Sequence, residues 1–98
     1  MPKYFISWEA DMTQYPKDPK EAAEINTRLG EMTAQWLGQS PKNEWARFLG
    51  GTAGYSITVS SWEDVNKMAL QFIPYVRFDV RQVNTFEEVQ RAFKAMMQ

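Results

Sequence analysis

Three stretches of this chain alternate side chains with a period of two, and this alternation limits the possible folds more than any other feature. Lys3 to Trp8 (KYFISW) sets Tyr4, Ile6 and Trp8 against Phe5 and Ser7. Tyr55 to Ser60 sets Tyr55, Ile57 and Val59 against Ser56, Thr58 and Ser60, and Val76 to Val83 sets Val76, Phe78 and Val80 against Arg77, Asp79 and Arg81. A period of two is that of a strand with unlike faces, as in an antiparallel sheet covered on one side only. Glu44 to Leu49, with three large apolar residues, reads as a further strand. It is joined to Tyr55 by Gly50-Gly51-Thr52-Ala53-Gly54, which predicts a hairpin. That glycine stretch is no phosphate loop, because it lacks a Gly-Lys-Ser/Thr ending and precedes a strand instead of a helix.

Between these strands the period changes. Asp18-Pro19-Lys20-Glu21 supplies an N-cap, a proline at the first helical position and a carboxylate three residues after the cap. Ala22, Ile25, Leu29, Met32 and Trp36 then recur at helical spacing up to Gly38. Ser61 with Asp64 opens a second helix carrying Val65, Met68, Ala69 and Phe72, which Pro74 closes. Thr85 with Glu88 repeats the capping pattern ahead of Val89, Ala92, Phe93 and Met96. The order is β-α-β-β-α-β plus an extra C-terminal helix, so the expected class is α+β, a ferredoxin-like arrangement with an antiparallel sheet. The 98 residues fit a single domain spanning 1–98.

Composition removes whole classes of chemistry. Without cysteine there are no disulfides, thiolate nucleophiles or cysteine-held metals. Without histidine there is no Ser-His-Asp triad, no histidine-ligated zinc or haem, and no side chain that ordinarily titrates near neutrality. Acid–base work would fall to Asp, Glu, Lys, Tyr or Arg with a shifted pKa. Eleven basic residues against twelve acidic ones produce no field favouring nucleic acid or anionic lipid. No apolar run reaches the roughly 18–20 residues of a membrane span, and the N-terminus is too short in apolar residues for a signal segment. The expectation is a soluble, cytoplasmic protein without metal or cofactor.

Faces carry the functional reading. The helices should cover Tyr4, Ile6, Trp8, Tyr55, Ile57, Val59, Val76, Phe78 and Val80. The other face would gather Phe5, Ser7, Glu9, Ser56, Thr58, Arg77, Asp79 and Arg81. To these it adds either Trp45, Arg47 and Leu49 or Ala46 and Phe48, since the register of that strand is open. Such a mixed face suits either solvent or the wall of an enclosed small-molecule site. The candidate ligand-binding residues are Glu9, Arg47, Tyr55, Arg77, Asp79 and Arg81. An arginine could hold a carboxylate bidentately, and Glu9 or Asp79 could serve as a base, although Arg77 and Arg81 would keep Asp79 an anion. Ala10 to Lys17, carrying Met12 and Tyr15, is long for a connection and is expected to cover a pocket mouth.

The element order, Trp45-Ala46-Arg47-Phe48 leading into Gly50-Gly51 and Gly54-Tyr55, the segment Val59 to Met68 (VSSWEDVNKM), and Phe78-Asp79-Val80 with Val83 before a short acidic helix resemble small proteins of the dimeric α+β barrel superfamily. Within it, the chain is similar to an uncharacterised bacterial family of about a hundred residues. The resemblance runs from Lys3 to Met97 and implies a homodimer formed by packing the open sheet faces, with a pocket in each subunit. Members of the superfamily include monooxygenases, isomerases, haem-handling enzymes and ligand-sensing modules. A histidine often follows the Arg-aromatic pair of the second strand there, and this chain has Leu49. The leading expectation is a homodimeric small-molecule-binding module with its pocket at the open sheet face. The alternative is a cofactor-independent isomerase or monooxygenase acting on a small aromatic or acidic metabolite.

Overall fold

A computed structural model describes every residue from Met1 to Gln98. Along the chain run β1 (Lys3–Ala10), a short 3-10 turn (Met12–Gln14), α1 (Pro19–Gly38), β2 (Glu44–Arg47), β3 (Ala53–Val59), α2 (Trp62–Leu70), β4 (Val76–Val83) and α3 (Phe86–Met96). The class is α+β. Four strands form one antiparallel sheet in the order β2-β3-β1-β4, accompanied by three helices.

The helices start where their capping residues stand. The Asp18 carboxylate accepts from the Lys20 amide at 3.3 Å, and the Ser61 hydroxyl accepts from the Asp64 amide at 3.1 Å. At α3 the Glu88 amide donates to the Thr85 hydroxyl at 3.2 Å while the Thr85 amide donates to the Glu88 carboxylate at 3.0 Å. β2 ends at Arg47 instead of Leu49. There the Phe48 amide donates to the Ala53 carbonyl at 3.0 Å and the Gly51 amide to the Phe48 carbonyl at 3.2 Å, closing the hairpin early. The turn passes through Gly50 at φ 78°, a left-handed conformation that glycine adopts without steric cost.

Register decides the faces and reverses one expectation. In β1–β3 pairing, Tyr4 stands opposite Thr58, Ile6 opposite Ser56 and Trp8 opposite Gly54. Directly opposed residues share a face, so Gly54, Ser56 and Thr58 lie under the helices, whereas Tyr55, Ile57 and Val59 share the open face with Phe5. Small residues on β3 leave room for the tryptophans of the neighbouring strands, and the buried Thr58 hydroxyl is satisfied by donating to Asn43 Oδ1 at 2.6 Å. Asn43 Nδ2 in turn donates to the Trp36 carbonyl at 2.8 Å, tying the end of α1 to the sheet. Ala46 stands opposite Tyr55 and Trp45 opposite Ser56, which puts Trp45 and Arg47 on the covered face and Ala46 on the open one.

The core is thin. Tyr4, Ile6 and Val65 form its centre, with Met68, Phe78 and Val80 packed against them, and only nine of 98 residues are buried. On the open face Phe5 stacks on Tyr55 at 5.6 Å, and Phe48 lies 6.2 Å from the same ring. All of α3 is exposed, including its apolar stripe of Phe86, Val89, Phe93 and Met96. The chain measures 63 × 24 × 22 Å with a radius of gyration of 16.5 Å, against about 13 Å for a compact domain of this length. No helix is long and apolar enough to cross a membrane.

Candidate functional site

A cavity of about 470 Å³ lies between α1, the covered face of the sheet and the segment after β1. Trp8, Trp45, Ser56 and Phe78 contribute its sheet side, and Asn26, Leu29, Thr33 and Trp36 its α1 side. The α1 residues recur at three and four; Leu29 and Trp36 belong to the stripe read from the sequence, whereas Asn26 and Thr33 do not, and Met32 of that stripe lines the second concavity. A second concavity of about 540 Å³, between α1 and α2, is walled largely by polar groups such as Gln35, Asn43, Asp64 and Gln71.

Aromatic packing shapes the first cavity. Trp8 and Trp45 stack with ring centroids 5.2 Å apart and planes 11° apart. Gly54, the partner of Trp8 on the strand that separates β1 from β2, has no side chain to interfere: a Cβ there would lie 2.5 Å from Trp8 Cζ2 and 2.8 Å from Cε2. The indole edge therefore rests on the β3 backbone, and the buried Trp8 Nε1 has no hydrogen-bond partner. Phe72 meets Phe78 edge to face at 5.8 Å.

The segment after β1, expected to cover the mouth of a pocket at the open face, instead contributes Met12 and Tyr15 to the lining of this cavity. Asp11 shapes it by accepting from the Thr13 hydroxyl at 2.6 Å and the Thr13 amide at 3.1 Å. The hydroxyl bond, foremost, holds the Asp11 carboxyl below the usual carboxylate range. Tyr15 meets Tyr75 edge to face at 5.4 Å, and Arg28 lies 6.0 Å from the Tyr75 ring centre. Burial, and then Tyr75, push the Tyr15 phenol above its ordinary value, so at neutral pH it keeps its proton and can donate.

The residues singled out in the sequence divide between the two faces. Arg47 is in the cavity lining and is the one charged side chain there. Glu9, Tyr55, Arg77, Asp79 and Arg81 lie on the open face. Arg77 pairs with Glu9 directly across the strands at 3.7 Å, and Arg81 with Asp79 along β4 at 3.2 Å. All four side chains are more than half exposed, which makes these weak surface pairs. The sequence places the pocket at the open face, whereas this cavity lies on the other side of the sheet. Trp8, Trp36 and Trp45, none of them among the candidates from the sequence, are part of its walls; for Trp8 the signal was Gly54 in a strand, which marks a close approach to the backbone. No family model matches this chain, and no curated protein matches it.

Proposed function

We propose that this chain is a homodimeric small-molecule-binding module of the ferredoxin-like, dimeric α+β barrel type, with its ligand pocket between α1 and the covered sheet face. The observation that carries binding is the cavity itself: its volume is that of small-molecule sites, its walls are mainly apolar and include three tryptophans, and a few polar groups converge on it. The sheet order β2-β3-β1-β4, with β1 central and both its neighbours antiparallel, supports the architecture.

Surface area supports the dimer. The chain exposes 7423 Å², whereas a compact monomer of 11.4 kDa exposes about 5,800 Å². The excess of roughly 1,600 Å² exceeds the roughly 800 Å² that each partner buries in a standard interface. The open face, with Phe5, Phe48, Tyr55, Ile57 and Val59, is the part of the sheet on which a second copy would rest. An isomerase or monooxygenase would need a base at the cavity, and Glu9 and Asp79 are exposed on the opposite face.

Light scattering at micromolar concentration, joined to a thermal-shift screen of small metabolites, tests both parts. The expected results are twice the mass of one chain and a melting temperature raised by at least one compound, since ligand at a hundred times its Kd adds about 2.7 kcal/mol. A monomer would refute the assembly, and a library without a hit would refute the binding role.

A further inference from the structure

We infer that the cavity takes a flat apolar or aromatic monocarboxylate, its ring against the tryptophans and its carboxylate at Arg47. This names the ligand class of the site proposed above and rests on that reading.

Eleven of the 18 lining residues are hydrophobic, and they include Trp8, Trp36 and Trp45. The stacked Trp8–Trp45 pair offers flat aromatic surface, which favours a planar body over a bulky or strongly hydrated one. Charge is distributed with one sign. Arg47 is the sole ionised side chain of the lining, and its guanidinium takes part in neither of the two ion pairs of the chain. Arg77 and Arg81, by contrast, already have carboxylate partners on the other face. A cation would be repelled by Arg47, and a dianion such as a phosphate monoester would meet one positive charge amid apolar walls that hydrate it poorly.

Arg47 is also the one charged donor that the lining offers an occupant. Its guanidinium has donors and no acceptor, and an ionised carboxylate, with two acceptor oxygens and no proton, matches that fork. The Trp8 N–H takes no part: it is buried, and the indole edge that carries it is packed against the β3 backbone at Gly54.

Isothermal titration of the full chain with 2-naphthoate and with the neutral 2-naphthamide tests this. The wild type should bind the acid about tenfold or more tightly than the amide. Arg47→Met should abolish that preference, and its melting curve verifies folding. Arg77→Met, on the opposite face, should keep the preference. In Trp8→Phe both probes should lose affinity alike, since the stacking surface shrinks while Arg47 stays; a loss confined to the acid would overturn the placement of the ring on the indoles. Equal affinity for both probes in the wild type, or an unaltered preference in Arg47→Met, would overturn the carboxylate class and leave the pocket standing. Failure of both probes to bind at millimolar concentration would overturn the pocket reading together with the class.

Discussion

Replacing Gly54 by alanine sets two effects of opposite sign against each other. Alanine is favoured over glycine inside a strand by about 0.5–1 kcal/mol, because glycine loses more backbone freedom on folding. Gly54 has an ordinary strand backbone, so at an open position the exchange would stabilise. Here the new methyl would overlap the carbonyl oxygen of Ala46 on β2 and approach Trp8 Cζ2 to 2.5 Å. A backbone carbonyl cannot turn aside as a side chain can, and Trp8 is held by its stack on Trp45. Either β2 moves away from β3 or the stack opens. Overpacking of this kind costs about 1–3 kcal/mol, so the net loss is about 1–2 kcal/mol. In a domain of this length each kcal/mol moves the melting temperature by about 4–8 °C, which makes the expected fall roughly 5–15 °C. The assay is thermal unfolding followed by near-ultraviolet circular dichroism, where the paired indoles give a signal of their own. An unchanged or higher melting temperature, with the indole signal intact, would refute the packing argument.

Gly30→Ala is the counterpart: a Cβ there meets nothing within 4 Å in the middle of α1, so helix propensity alone acts and calorimetry should show a gain of about 1 kcal/mol. The Glu88 carboxyl is held below its ordinary value by the Thr85 amide and hydroxyl. A folded-state pKa below the unfolded one stabilises above the ordinary glutamate value and is lost as pH falls through the folded value, so the far-ultraviolet helix signal should decline in acid and be flatter in Glu88→Gln. Arg77→Met removes an exposed pair with Glu9; denaturant titration should show a stability change of no more than about 1 kcal/mol.

The elements were readable because each has a local cause. Asp18, Ser61 and Thr85 cap helices within reach of their own side chains, and β4 alternates from Val76 to Arg81. The faces were only half readable. Alternation reveals that Tyr55, Ile57 and Val59 share a side, but not which side; that depends on Trp8 standing opposite Gly54, a pairing between residues far apart in sequence. Apolar content pointed the wrong way because the helix side of β3 is filled by tryptophans from its neighbours and its polar Thr58 is satisfied by Asn43. The cavity followed the same rule. Arg47 reached it because β2 pairs through Ala46 with Tyr55, a register that the short run Glu44 to Leu49 leaves undetermined.

The exposure of α3 separates its fate from that of the rest of the molecule. An isolated helix shorter than about 12–15 residues is marginal in water, and α3 has 11 residues joined to β4 only through Asn84 and Thr85. With no buried residue to hold it, it can unwind without disturbing a single strand pair, so its backbone amides exchange through local opening while those of β1 await opening of the sheet. A melting curve dominated by the sheet therefore says little about residues 86–96, and any surface that came to cover Phe86, Val89 and Phe93 would add the ordering of this helix to its own binding free energy.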